Sequence, residues 1–190
     1  MTRNLRILAV AGLIAGGVLG MVGSMVAVSN VRAVCWAIDG VGVILATAIL
    51  AVAFARSGRM EVAVGFLVYT IGEAVMLGGT ATSLEGSVPA FAAGTALWSA
   101  GLMLTSVPRV FAIWTRLTGL VSAVLFGIVS LTIFRGVPLT PIARPLPFFA
   151  YPFLVLTFIG WIWAIVSRGD ELATTDVRTK SKPVEEVAAR

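Results

Sequence analysis

Long apolar runs, separated by short polar or proline-rich breaks, make up most of the chain. Crossing about 30 Å of hydrocarbon at about 1.5 Å per residue takes an α-helix of about 20 residues. Six runs reach that length, and their apolar residues are continuous instead of alternating, which favours helices over a β-barrel. The pattern predicts an all-α, polytopic membrane protein, a bundle of about six transmembrane helices. The predicted spans cover residues 5–29, 33–55, 60–82, 88–107, 110–134 and 146–167.

The breaks between the spans contain residues that end helices. A short polar turn runs from Arg56 to Arg59, and Pro108 with Arg109 makes a tight connection between the fourth and fifth spans. The segment 135–147 contains four prolines, which cannot continue either flanking helix. We therefore expect residues 1–167 to form one six-helix transmembrane domain.

The two ends of the chain differ from each other in composition. Arg3 and Arg6 precede an apolar run of more than twenty residues, which is longer than the roughly 7 to 15 apolar residues of a signal peptide. The first run is therefore expected to be an uncleaved membrane span. Residues 168–190 are rich in charged residues, Thr and Pro without apolar periodicity, which predicts a disordered cytoplasmic tail.

The basic residues indicate an orientation. With the N-terminus in the cytoplasm, eleven lysines and arginines fall on the cytoplasmic side and only Arg32, Arg135 and Arg144 fall outside. This asymmetry agrees with the positive-inside rule and predicts that both termini are cytoplasmic. Arginine outnumbers lysine twelve to two in a chain rich in Ala, Gly and Val, which indicates a GC-rich bacterial gene. The expected location is the bacterial inner (cytoplasmic) membrane.

The composition excludes several classes of function. Hydrophobic residues make up 58% of the chain and charged residues 12%, so lipid must be the solvent for most of the surface. There is no histidine, and the single Cys35 lacks the partners of a zinc site or disulfide, so no cofactor or metal is predicted. The net charge of +5 comes from scattered residues and does not predict nucleic-acid binding.

Two carboxyl groups lie inside apolar spans. A charge at the centre of a membrane helix costs at least about 2.5 to 3.5 kcal/mol, so Asp39 and Glu73 should face protein or water. Counted from the outer ends of the predicted second and third spans, they lie about 9 and 14 Å deep. No Lys or Arg is expected at that depth, and a shared proton is the expected arrangement. They are the candidate catalytic residues if the protein is an enzyme.

Three neighbours of these carboxyls are candidate ligand-binding residues. Trp36 precedes Asp39 by three positions, and Tyr69 and Thr70 precede Glu73 by four and three, which places them on adjoining helix faces. Together they would line a polar pocket facing the outside. The alternative is that the carboxyls hydrogen-bond across helices and hold the bundle together, with the aromatics as packing residues.

Other features predict packing and anchoring. Gly12, Gly16 and Gly20 form a small-residue face on the first helix, which favours internal packing, with a homodimer or another membrane protein as the alternative. Arg116 is expected to extend its side chain to the membrane interface. Aromatic residues near the ends of the sixth span are expected to be interfacial anchors, namely Phe148, Phe149, Tyr151, Trp161 and Trp163.

Three functions fit these observations. The first is a membrane subunit, or a binder of a small apolar or lipid-like molecule, and it requires the fewest unobserved features. The second is an intramembrane acid–base enzyme of isomerase or cyclase type that uses Asp39 and Glu73. The third is a small proton-linked transporter with the same pair as its proton site, although the two halves of the chain show no internal repeat.

Overall fold

The computed structural model describes residues 1–168 of the 190-residue chain, and these residues form helices and connections without a β-strand. Six α-helices are each long and apolar enough to span a membrane, which confirms the predicted fold class of a multi-pass, all-α membrane protein. The predicted tail, apart from Arg168, lies outside the described residues. The helices are α1 (Arg3–Met25), α2 (Ser29–Arg56), α3 (Met60–Gly79), α4 (Val88–Ser106), α5 (Ile113–Phe134) and α6 (Tyr151–Arg168).

The six helices form a closed ring. Each helix packs against the next along the chain, and α1 packs against α6 to complete the circle. Short connections between consecutive helices give an up-and-down topology, in which neighbours are antiparallel. A 3₁₀ turn, Phe148–Ala150, leads into α6. As a result, α2, α4 and α6 all begin at one end of the ring, and α3 and α5 begin at the other.

Glycines set the close contact between α3 and α4. A Cβ atom on Gly72 would lie 2.9 Å from the Gly94 carbonyl oxygen, and one on Gly65 would lie 3.0 Å from the Gly101 oxygen. Both pairs are spaced seven residues apart on their own helices, so they lie on one face of each. Small residues at such crossings allow two backbones to approach closely, which favours helix association in a membrane.

The glycine face of α1 packs against α2 of the same chain. Side chains at Gly12 or Gly16 would overlap the Gly42 carbonyl group or Val43, respectively. Gly20 lies further along the same face, at the site described below. This is the internal packing expected from the sequence.

Aromatic side chains fill the interior of the helix bundle at the end where α3 and α5 begin. The Phe66 ring centroid lies 5.5 Å from that of Phe54 and 4.7 Å from that of Trp161, and Phe111 contacts all three rings. Only 1% of Trp161 is exposed. Its prediction as an interfacial anchor was wrong, because the ring of helices turns this face of α6 inward. Trp163 on the opposite face is 66% exposed.

Two arginines determine how adjacent helices meet. The second helix begins at Ser29 instead of residue 33, so Arg32 lies in its first turn, where Nη2 donates to the Val26 carbonyl oxygen at 2.8 Å. Arg116 donates from Nε and Nη2 to the carbonyl oxygens of Ser106 and Val107, both at 2.8 Å. These carbonyls are at helix ends, where no intrahelical donor is available. The expected extension of Arg116 to the membrane interface stays a prediction, and the structure shows that its guanidinium caps the end of α4.

Candidate functional site

A cavity of about 310 Å³ occupies the interior of the ring at the end where α2, α4 and α6 begin. We call this the cavity end. Every helix except α5 lines the cavity, together with the connection between α3 and α4. Most of its exposed lining residues are polar, and we call them the rim, namely Ser29, Asn30, Thr82 and Ser83. The cavity therefore has a hydrophilic mouth, and its volume lies at the small end of the range for ligand sites.

Asp39 extends from α2 towards α1 and lines the cavity. A Cβ atom on Gly20 would lie 2.8 Å from its Oδ2, and the Gly16 position is 3.1 Å from its Oδ1 by the same measure. The carboxyl thus occupies space that side chains on these two glycines would take. Because α1 offers no cation here, this packing holds the carboxyl in place without neutralising it.

Glu73 of α3 lines the same cavity and is 5% exposed. Its Oε1 lies beside Gly40, which directly follows Asp39 in the sequence, at 3.3 Å from where a Cβ would stand. Among residues 1–168, neither carboxyl forms an ion pair. The structure therefore brings the two sequence-predicted carboxyls into one chamber. With the observed helix ends, Asp39 is about 15 Å and Glu73 about 9 Å from the ends of their helices, which reverses the predicted order of depth.

Two buried aromatic side chains bring polar atoms to the cavity. Tyr69 of α3 and Trp98 of α4 stack with their ring centroids 5.2 Å apart. The Tyr69 hydroxyl and the Trp98 Nε1 are both buried, and neither makes a hydrogen bond of standard geometry within the described residues. The Trp98 indole nitrogen lies near the Glu73 carboxyl. Two N–H or O–H donors thus accompany the two carboxyls.

Trp36 lies between the carboxyls and the rim. Its indole packs on α1 at Gly23, where a Cβ would lie 2.6 Å from the ring. The Arg32 guanidinium carbon lies 5.9 Å from the centroid of the Trp36 ring, and both side chains line the cavity. The sequence placed Arg32 in an outer loop, whereas the structure places it at the rim.

Thr70, the remaining candidate, does not line the cavity. Its hydroxyl lies 2.7 Å from the Thr47 hydroxyl of α2 and donates to the Phe66 carbonyl oxygen at 2.7 Å. This side chain links α2 to α3 and has its hydrogen bonds satisfied within the bundle. Its position three residues before Glu73 put it on the adjoining helix face, but that face turns towards α2 at this level.

Sequence reasoning missed the wall contributed by α4 and α6. Tyr151 and Phe158 line the cavity beside Trp98, and the Tyr151 hydroxyl donates to the Pro141 carbonyl oxygen at 3.2 Å. Tyr151 was placed among the interfacial anchors instead. The pattern of α6 alone gave no signal for its cavity face, because that face is determined by the contact that closes the ring between α6 and α1.

The arrangement is suited to holding the polar end of a small molecule. The residues that carry the two carboxyls, the Tyr69 hydroxyl and the Trp98 indole nitrogen all line the cavity, together with other aromatic side chains. Such apolar sites with a few convergent polar groups are typical of small-molecule binding. Comparisons with protein-family models, with characterised proteins and with solved structures gave no match.

Proposed function

We propose that this protein binds a small, largely apolar molecule with a polar end in the cavity. The observation that carries the proposal is the unpartnered, fully buried hydroxyl of Tyr69 in the same chamber as Asp39 and Glu73. A buried polar group without a partner costs about 1–3 kcal/mol, and a ligand that supplies the partner recovers that free energy. The aromatic walls supply the apolar contact.

The orientation inferred from the basic residues indicates which side of the membrane the cavity faces. In the bacterial cytoplasmic membrane with both termini inside, the cavity end faces the outside of the cell. A ligand would then arrive from the aqueous side or from the outer leaflet. The polar rim is consistent with the first route.

The proposal is tested with three probes that share a phenyl body and differ in their head group. They are neutral neopentylbenzene, cationic benzyltrimethylammonium and anionic benzylsulfonate. Equilibrium dialysis against protein in nanodiscs, corrected with empty nanodiscs, should show that at least one probe binds saturably with one site per chain. If none does, the proposed function is wrong.

A cavity-filling variant distinguishes the cavity from the lipid. Gly17 lines the cavity, and a Cβ there would have its nearest side-chain atoms 3.8 Å away. We expect the ring of Gly17→Phe to take up space in the cavity and abolish binding. Gly78→Phe is the matched control, since nothing lies within 4 Å of its Cβ position. Equal loss of binding in both variants would contradict binding in the cavity.

An intramembrane acid–base enzyme is the second candidate, favoured by the presence of two carboxyls in one aromatic-lined chamber. One carboxylic acid would protonate one alkene carbon, which leaves a cation on the other alkene carbon. The second carboxylate would then remove a proton from the next carbon beyond that cation, and the electrons of the broken C–H bond form the shifted double bond. Incubation of the protein with 1-methylcyclohexene in D₂O should then place deuterium in the recovered alkene. Absence of deuterium above the level with Asp39→Asn would contradict this activity for that alkene.

The described structure gives less support to transport. A transported molecule would have to pass between Phe54, Phe66, Phe111 and Trp161, whose rings pack together at the end opposite the cavity. These side chains belong to the buried hydrophobic core. We therefore propose binding, with transport as the alternative that requires this cluster to open.

A further inference from the structure

The charges that line the cavity identify a class of ligand. Resting on the proposed function, we propose that the cavity selects an apolar molecule with a cationic head, such as a substituted ammonium, bound between the two carboxyls and the aromatic faces. The charged lining residues are Asp39, Glu73 and Arg32. Two carboxyls therefore share the cavity with one arginine, and a cationic ligand bound between the carboxyls would supply a counter-charge for their ionised form.

Arg32 does not neutralise the carboxyls itself. It lies seven residues before Asp39 on α2, which corresponds to about 10 Å along the helix axis. Its Nη2 donates to the carbonyl oxygens of Val26 and Ala27, at 2.8 and 3.4 Å. The guanidinium is thereby held at the rim, and neither carboxyl has a cation beside it among the described residues that line the cavity.

The aromatic walls favour the same charge. The faces of aromatic rings carry partial negative charge and attract cations, most strongly where water is excluded. The stacked rings of Tyr69 and Trp98 lie in the wall beside Glu73, and Phe158 packs edge-to-face on Tyr69 with a centroid distance of 6.2 Å. At the rim, the contact of Arg32 with Trp36 already places a cation over an aromatic face.

Neutral and anionic ligands fit less well. A neutral ligand leaves the two carboxyls without a counter-charge in a low-dielectric chamber, so both must remain protonated for it to bind. An anion would add a third negative group to the same space. A cation with an apolar body compensates the carboxyls and contacts the aromatic rings with the rest of its surface.

The three phenyl probes test this selection directly. Benzyltrimethylammonium and neopentylbenzene have nearly the same shape and differ by one charge, so the difference between their dissociation constants isolates the charge. We expect the cation to bind at least about tenfold more tightly than the neutral probe, and benzylsulfonate to bind more weakly than both. Equal or tighter binding of the neutral or anionic probe would overturn the cation proposal and leave the proposed function intact. Failure of all three probes would overturn both.

Amide variants assign the effect to the carboxyls. Asp39→Asn and Glu73→Gln should each weaken binding of benzyltrimethylammonium by about tenfold and change that of neopentylbenzene by less than about twofold. Glu85→Gln is the matched control, because Glu85 is exposed in the connection between α3 and α4 and does not line the cavity. A uniform loss for both probes would indicate a structural role for the carboxyl and contradict charge recognition. If one variant fails to fold, the other variant and the comparison of the three probes on the wild-type protein still test the cation proposal.

Discussion

The carboxyl of Asp39 lies against glycines of α1, and this contact couples helix packing to the site. Gly16 and Gly20 provide the space that the carboxyl oxygens occupy. A small-residue face is generally a means of bringing two helices together. Here the part of the face nearest the cavity end also lies against the Asp39 carboxyl, the proposed ligand-binding group. Adding a single methyl group at one glycine therefore tests its effect on the carboxyl separately from helix packing.

We expect Gly20→Ala to displace the Asp39 carboxyl. The added methyl group would lie 2.8 Å from Oδ2, closer than van der Waals contact permits. Binding of benzyltrimethylammonium should weaken by about tenfold, or about 1.4 kcal/mol, by equilibrium dialysis. Gly17→Ala is the control on the same helix, since its nearest neighbours would be 3.8 Å away. Unchanged affinity in Gly20→Ala would show that the position of Asp39 is unimportant.

At the residue scale, the sequence identified the side chains whose burial in lipid costs the most free energy. Asp39 and Glu73 stood out because a carboxyl inside an apolar span must face protein or water. Trp36 and Tyr69 followed from helical spacing. Trp98 did not, because an indole in a membrane helix has many satisfactory environments, and only the folded ring brings it beside Tyr69.

At the scale of the elements, the contact between α3 and α4 depends on glycine. We expect Gly72→Ala to destabilise the protein by about 1–3 kcal/mol, because its methyl group would meet the Gly94 carbonyl at 2.9 Å. Unfolding in increasing amounts of denaturing detergent measures the loss. Gly78→Ala on the same helix has open space at its Cβ and should be neutral or slightly stabilising. Equal effects of the two substitutions would contradict the proposed packing.

The connection between α4 and α5 depends on Arg116. Replacing it with alanine leaves the carbonyls of Ser106 and Val107 without its hydrogen bonds. Hydrogen bonds to charged groups contribute about 1.5–3 kcal/mol, so we expect Arg116→Ala to lower the free energy of unfolding by that order. Arg109→Ala removes an exposed arginine from the same connection and should change it by less than about 0.5 kcal/mol. A neutral Arg116→Ala would show that water replaces the cap.

The elements themselves were more predictable than their ends. Length and continuous hydrophobicity identified all six helices, since few other structures satisfy backbone hydrogen bonds in lipid. The first two helices meet within the apolar stretch around Val26 to Val28, where no Gly or Pro marks the break. At this boundary Arg32 donates to the carbonyl oxygen of Val26 at the end of α1, an interaction that the apolar pattern does not reveal.

At the scale of the whole molecule, the ring is packed at one end and open at the other. Aromatic side chains fill the end where α3 and α5 begin, and the cavity occupies the opposite end. This difference between the two ends could not be predicted from the separate spans, because it depends on which helix faces point into the closed ring. It gives the orientation in the membrane a direct functional meaning, since orientation decides which compartment the cavity faces.

Cysteine labelling tests that orientation. In a Cys35→Ala background on intact cells, an impermeant maleimide should label Ser83→Cys and Val137→Cys, which are exposed positions in the connections at the cavity end. Arg59→Cys and Arg109→Cys lie at the opposite end and should react only after the membrane is permeabilised. The reverse pattern would place the cavity end in the cytoplasm.

The most direct test of the central claim is a crystal structure of the protein with 4-bromobenzyltrimethylammonium. The anomalous signal of bromine locates the probe without reference to the surrounding density. We predict one bromine peak per chain inside the cavity, with the ammonium group of the probe beside the carboxyls of Asp39 and Glu73. A bromine peak confined to the lipid-facing surface, or an ammonium group turned away from both carboxyls, would contradict the account.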